Sequence, residues 1–177
     1  MSRVALATLL PEQPIALRRA DEHWNAVAVP TTWSRLVLAN LAGRNGAVFE
    51  DTRFRHLVWV IPSGGADEWP EAHGMGVIVY RTGEQLAVPG LGGFHGSHWL
   101  RTPSGQLLFT DPDELRTAVE KVAGPLADAE RLGPMVVCSY CNTPTRDSKI
   151  INTWTSPCDG SVHNDYVCRG CDSARGR

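Results

Sequence analysis

The chain has 177 residues, enough for one domain of ordinary size and a small appendage. Hydrophobic residues make up 42% and charged residues 20%, a mixture that excludes global disorder and supports a buried core. The net charge of −2 argues against coating nucleic acid by bulk charge, although it divides into −3 over residues 1–134 and +1 over 135–177.

The N-terminal apolar run ends at Pro11 and Pro14 and does not read as a signal peptide. No stretch approaches the ~18 apolar residues of a membrane span. The expected compartment is the cytoplasm, where a CxxC pair binds metal more readily than it forms a disulfide.

"WNAVAVP" (24–30) predicts a strand closed by Pro30. "TTWSRLVLANLAG" (31–43) predicts a helix capped by Thr31 or Thr32, with Trp33, Leu36, Val37, Leu38 and Leu41 on one face and Gly43 as its stop. Four β-rich stretches follow, at 46–51, 55–62, 76–82 and 84–90. Thr82-Gly83 is the expected turn of a hairpin joining the last two. A second hairpin is expected from 98–102 and 106–110. The Gly-rich stretch 89–98 lacks the context of a phosphate-binding motif and predicts a loop.

"TDPDELRTAVEKVAG" (110–124) predicts a helix. Asp111 suits the N-cap, Pro112 the first turn, and Glu114 the reciprocal position of a capping box. Leu115, Ala118, Val119 and Val122 form its apolar face. Residues 126–133 predict a short helix or linker. The expected fold is α+β, a mostly antiparallel sheet with flanking helices in residues 1–133, followed by a small metal-bound domain at 134–177.

That second domain rests on Cys138, Cys141, Cys168 and Cys171. Each CxxC turn places two thiolates on one side of a tight loop. Two such turns make a tetrahedral four-sulfur site, and zinc is its expected occupant outside redox chemistry. An iron–sulfur group with the same ligands, or reduced structural cysteines, are the alternatives. Between the pairs, 148–155 and 162–167 predict two strands around the turn 156–161. Knuckle, hairpin, knuckle resembles the zinc-ribbon family over residues 135–173. A closed thiolate site leaves no position for water, so a structural role is expected for the ion. Cys158 in the turn and His163 on the second strand are further potential ligands.

Partner binding is the first functional expectation, with nucleic acid or protein as the partner. Arg146, Lys149, Trp154, Tyr166, Arg169 and Arg175, with Arg177, are the candidate contacts on the tail, because ribbons that bind nucleic acid use basic and aromatic side chains. An enzyme is the alternative. The zinc-deaminase pattern fails at His23 and again before Cys138, and HEXXH is absent. An HNH-type nuclease would use His163, but Val162 stands where that family has Asp. A hydrolytic site could draw on His56, His73, His95 and His98, with Glu50 and Asp51.

"RHLVWVIP" (55–62), "GVIVYRTGEQLAVPG" (76–90) and "HW" (98–99) resemble the second half of the N-terminal domain of the primase-polymerase family, over residues 46–101. The resemblance implies a nucleotide-contacting role for His56. It also implies a metal-binding acid where this chain has Ile78, and an upstream carboxylate pair that has no clear match. Glu50 and Asp51 are adjacent and would face opposite sides of a strand. The resemblance therefore implies a shortened, inactive relative, since two-metal chemistry needs converging carboxylates.

Overall fold

The computed structural model describes residues 2–104 and 107–175. The chain is α+β. A central antiparallel sheet is built from β2 (Asn25–Pro30), β3 (Val48–Asp51), β4 (His56–Ile61), β5 (Ile78–Tyr80) and β7 (His98–Arg101), in the order β5-β2-β4-β3-β7. A separate antiparallel pair joins β1 (Ile15–Arg19) to β6 (Gln85–Pro89).

Alternation sorts the sheet's side chains onto two cores. Val27, Val29, Leu57, Trp59, Ile61 and Val79 face one side. They pack with Trp33, Val37 and Leu41 of α2 (Thr31–Leu41) and with Leu115, Ala118 and Val119 of α3 (Pro112–Ala123). Ala26, Ala28, Val58, Val60 and Phe49 face the other side. They pack with Ala5 and Leu9 of α1 (Ser2–Leu9) and with Leu86 and Val88 of β6. Covering both faces explains why β2 and β4 read as almost continuous apolar runs.

Helix α3 begins as its sequence predicts. The Asp111 carboxylate accepts the N–H groups of Asp113 and Glu114, at 3.0 and 2.9 Å. The reciprocal half of the capping box is replaced by a 2.9 Å ion pair from Glu114 to Arg44. Neither Thr31 nor Thr32 caps α2. Pro30 holds the N-cap position without a side-chain bond, because the helix follows directly on β2. Its C-terminus turns at Ala42, in the left-handed region at φ 49°, one residue before Gly43.

Two hairpin expectations are corrected. Residues 81–84 do form a turn, with the Glu84 N–H on the Arg81 carbonyl at 3.0 Å and Gly83 at φ 98°. But β5 pairs with β2, while β6 crosses to β1, so the strands on either side of that turn do not pair with each other. β7 pairs with β3 rather than with 106–110. Gly105 and Gln106 lie outside the described residues. Beyond them the chain passes Gly46 so closely that a Cβ there would sit 2.3 Å from the Phe109 backbone. The Thr110 N–H then donates to the Val60 carbonyl, at 2.9 Å.

After α4 (Ala129–Leu132) the tail begins. It comprises β8 (Val136–Val137), β9 (Pro144–Thr145), β10 (Ser148–Thr155), β11 (Val162–Cys168) and α5 (Arg169–Arg175). The long hairpin β10–β11 and the turn 156–161 lie where the sequence places them. A bulge at Ile151 shifts its register between Ile150 and Asn152. The tail touches the body. Met135 packs on the first core, and Arg146 Nε donates to the Gly133 carbonyl at 2.9 Å.

Candidate metal centre

The first knuckle is the loop between β8 and β9. The Cys138 N–H donates to the Thr143 carbonyl (3.1 Å), and the Asn142 N–H donates to the Cys138 carbonyl (2.9 Å). Closing so tight a loop requires a left-handed residue. Asn142 supplies it, at φ 55°, and asparagine is among the side chains that tolerate this region best. The second knuckle is the junction of β11 and α5, with Cys168 ending the strand and Cys171 in the first turn of the helix. A bond from the Ser139 N–H to the Tyr166 carbonyl, 2.8 Å, holds the two knuckles side by side.

The four sulfur atoms lie within 4.8 Å of one another, and Cys141 Sγ is 3.8 Å from Cys168 Sγ. A tetrahedron with metal–sulfur bonds of about 2.3 Å has edges of about 3.8 Å, so the donor set fits a single tetrahedral ion. Cys138 is buried, Cys168 and Cys171 are half-buried, and Cys141 is exposed. The backbone N–H groups of Cys141 and Cys168 pull the Cys138 thiol down to about 6, which favours the thiolate form that a metal ion takes. Hydrogen bonds from Thr143 lower Cys141 as well. Cys171 is pushed up to about 12, first by hydrogen bonds of its thiol to the sulfurs of Cys168 and Cys141, with burial and the nearby Cys138 adding to the shift. A soft cation among the sulfurs would displace that proton and hold the four sulfurs as thiolates.

Cys158 and His163 stand apart from this cluster. Cys158 is exposed in the hairpin turn. His163 stacks on Trp154, its cross-strand partner, with ring centroids 4.4 Å apart and planes at 20°. Its Nε2 lies 2.7 Å from Ser161 Oγ.

The candidate contact residues occupy varied settings. Arg146 is a strut between tail and body, half-buried, with burial lowering its pKa. Lys149 pairs with Asp172 at 2.7 Å, and Arg169 approaches Asp147 at 4.0 Å. Trp154 is 46% exposed, and Tyr166 is half-buried. The Arg175 side chain and Arg177 lie outside the described residues.

Among the described residues, His73 Nε2 lies 3.0 Å from Glu71 Oε2, but the histidines and acids of the body do not gather in groups of three. Glu50 lies opposite Leu57 and His98 on the neighbouring strands, and Asp51 lies opposite His56. His56 Nε2 is bonded to the Gly76 carbonyl at 3.0 Å. Among the described residues, the four cysteines form the only group of three or more metal-capable side chains close enough to share an ion. Compared with known proteins, the chain matches no family model, no curated protein and no solved structure. The resemblance to the primase-polymerase family is thus without support from these comparisons. Two functional details escaped the sequence reading. Asn142, directly after a CxxC, carried a usable signal for the knuckle turn. The strut role of Arg146 carried none.

Proposed function

We propose that this is a non-catalytic zinc-binding protein whose tail presents the β10–β11 hairpin to a nucleic-acid or protein partner. The observation that carries the reading is the four-sulfur cluster, whose edge length suits zinc and whose four protein ligands leave no coordination position for a substrate. The ion's role is structural. Most of β10 is exposed, so the hairpin buries too little apolar surface to hold itself together, and a metal offsets that deficit. Lys149 and Arg169 are drawn toward acids of the tail itself. Trp154 and Ile150, at 46% and 54% exposure, are therefore the stronger contact candidates on the hairpin.

Elemental analysis of the purified protein tests the reading. About one zinc per chain is expected from the single four-thiolate site, and Cys168→Ser should lose it. Absence of zinc, or iron with visible absorbance, overturns the structural-zinc assignment. For the partner, capture that falls steeply with salt identifies nucleic acid, while salt-insensitive capture of a protein identifies an adaptor.

A further inference from the structure

A groove of ≈ 350 Å³ lies where the body meets the first knuckle. Thr31, Thr32 and Arg35 of α2 form one wall, Arg55 of the β3–β4 turn a second, and Asn142 and Pro144 a third. Among the described residues no acidic side chain lines it, although the body around it carries a net charge of −3.

Its arginines differ from most in the molecule. Arg44, Arg81, Arg116, Arg131 and Arg169 stand beside carboxylates, and Arg18, Arg101 and Arg146 donate to backbone carbonyls. Arg35 and Arg55 are exposed and have neither kind of partner among the described residues. The turn itself is fixed. The Thr31 N–H donates to the Arg55 carbonyl at 2.8 Å, and Arg55 is held at φ 57°. Asp51, the acid of that turn, directs one carboxylate oxygen to the N–H groups of Arg53 and Phe54, at 3.0 and 3.3 Å. Phe54, beside Arg55, is 58% exposed, and the Arg53 guanidinium lies 5.4 Å from its ring centroid.

Unpaired cations beside an exposed aromatic ring are the elements that bind single strands: the cations take phosphates and the ring stacks on a base. We infer that this groove and the adjoining β3–β4 turn bind a single-stranded nucleic acid, with Arg35 and Arg55 on its phosphates and Phe54 beneath a base. This site is distinct from the hairpin and does not depend on the hairpin's partner.

Fluorescence anisotropy with a labelled 20-nucleotide single strand, and with its duplex, tests the inference. Two arginines on phosphates predict a log–log salt slope of about −1.4 on a single strand. The double variant Arg35→Gln/Arg55→Asn should weaken binding at least about tenfold and flatten that slope. Asparagine is chosen at 55 because it accepts the left-handed backbone. Phe54→Ala should weaken binding roughly tenfold. Arg3→Gln/Arg19→Gln removes the same charge elsewhere and should leave affinity nearly unchanged. The inference is overturned if the native protein fails to bind the strand at low salt, if both double variants lose affinity equally, or if the duplex binds as tightly. Loss in Trp154→Ala with retention in Arg35→Gln/Arg55→Asn would place the strand on the hairpin instead, which also overturns it.

Discussion

Single residues set the geometry of the metal centre. A CxxC spacing specifies the ligands but not the turn that aims them; that depends on Asn142 at φ 55°. Asn142→Gly should keep both metal and stability, whereas Asn142→Val should cost about 1–2 kcal/mol and hasten loss of the ion to a competing chelator. At the opposite end of the hairpin, the hydroxyls of Ser161 and Ser156 hold the Asp159 carboxyl at about 2, below its ordinary 3.8. A carboxylate depressed in the folded state stabilises above its unfolded pKa and loses that contribution as pH falls through the folded one. The turn 156–161 should therefore loosen between about pH 4 and pH 2. Amide exchange at Ser161, whose N–H donates to Asp159 Oδ1 at 3.0 Å, would report it. Asp159→Asn should abolish the pH dependence; an unchanged profile would show that another group is responsible.

Among the elements, α3 was legible because every local signal agreed. A capping Asp, a Pro in the first turn, an apolar stripe and a terminal Gly all fell within 15 residues. Asp111→Ala should lower stability by about 1 kcal/mol, visible as a lower thermal midpoint with α3 still formed in the native state. The sheet was less legible. Its strands were marked by composition, and the turn at 81–84 by glycine, but pairing is decided at long range. The Ala20 N–H on the Glu84 carbonyl and the Gly83 N–H on the Ala20 carbonyl, at 2.9 and 2.8 Å, draw β6 onto β1 and away from β5. β1 itself passed unnoticed because Leu17 is exposed, so the strand carries little apolar periodicity. The hairpin β10–β11 was easier to place, since a short turn between its strands brings them together locally.

For the molecule as a whole, the two cores of the body and the four thiolates of the tail suggest separate sources of stability. The central sheet packs through apolar side chains on both faces, and none of its strands contributes a cysteine to the cluster. Removal of metal by a chelator should raise amide exchange across residues 138–171 and leave β2 and β4 protected. Equal deprotection of both regions would show that body and tail unfold as one unit. The α+β class followed from the alternation of apolar runs and breakers, and the cluster from cysteine spacing. The seating of the tail on the body did not follow. It depends on Arg146 reaching a backbone carbonyl 13 residues earlier, a contact with no sequence periodicity.

The distribution of tryptophans has a practical consequence. Of six, Trp24, Trp33, Trp59, Trp69 and Trp99 are buried, and only Trp154 meets solvent substantially. The hairpin thus carries its own optical label. An aqueous collisional quencher such as iodide should reach that one indole and leave the emission of the other five nearly intact, so occupation of the hairpin can be followed without attaching a dye.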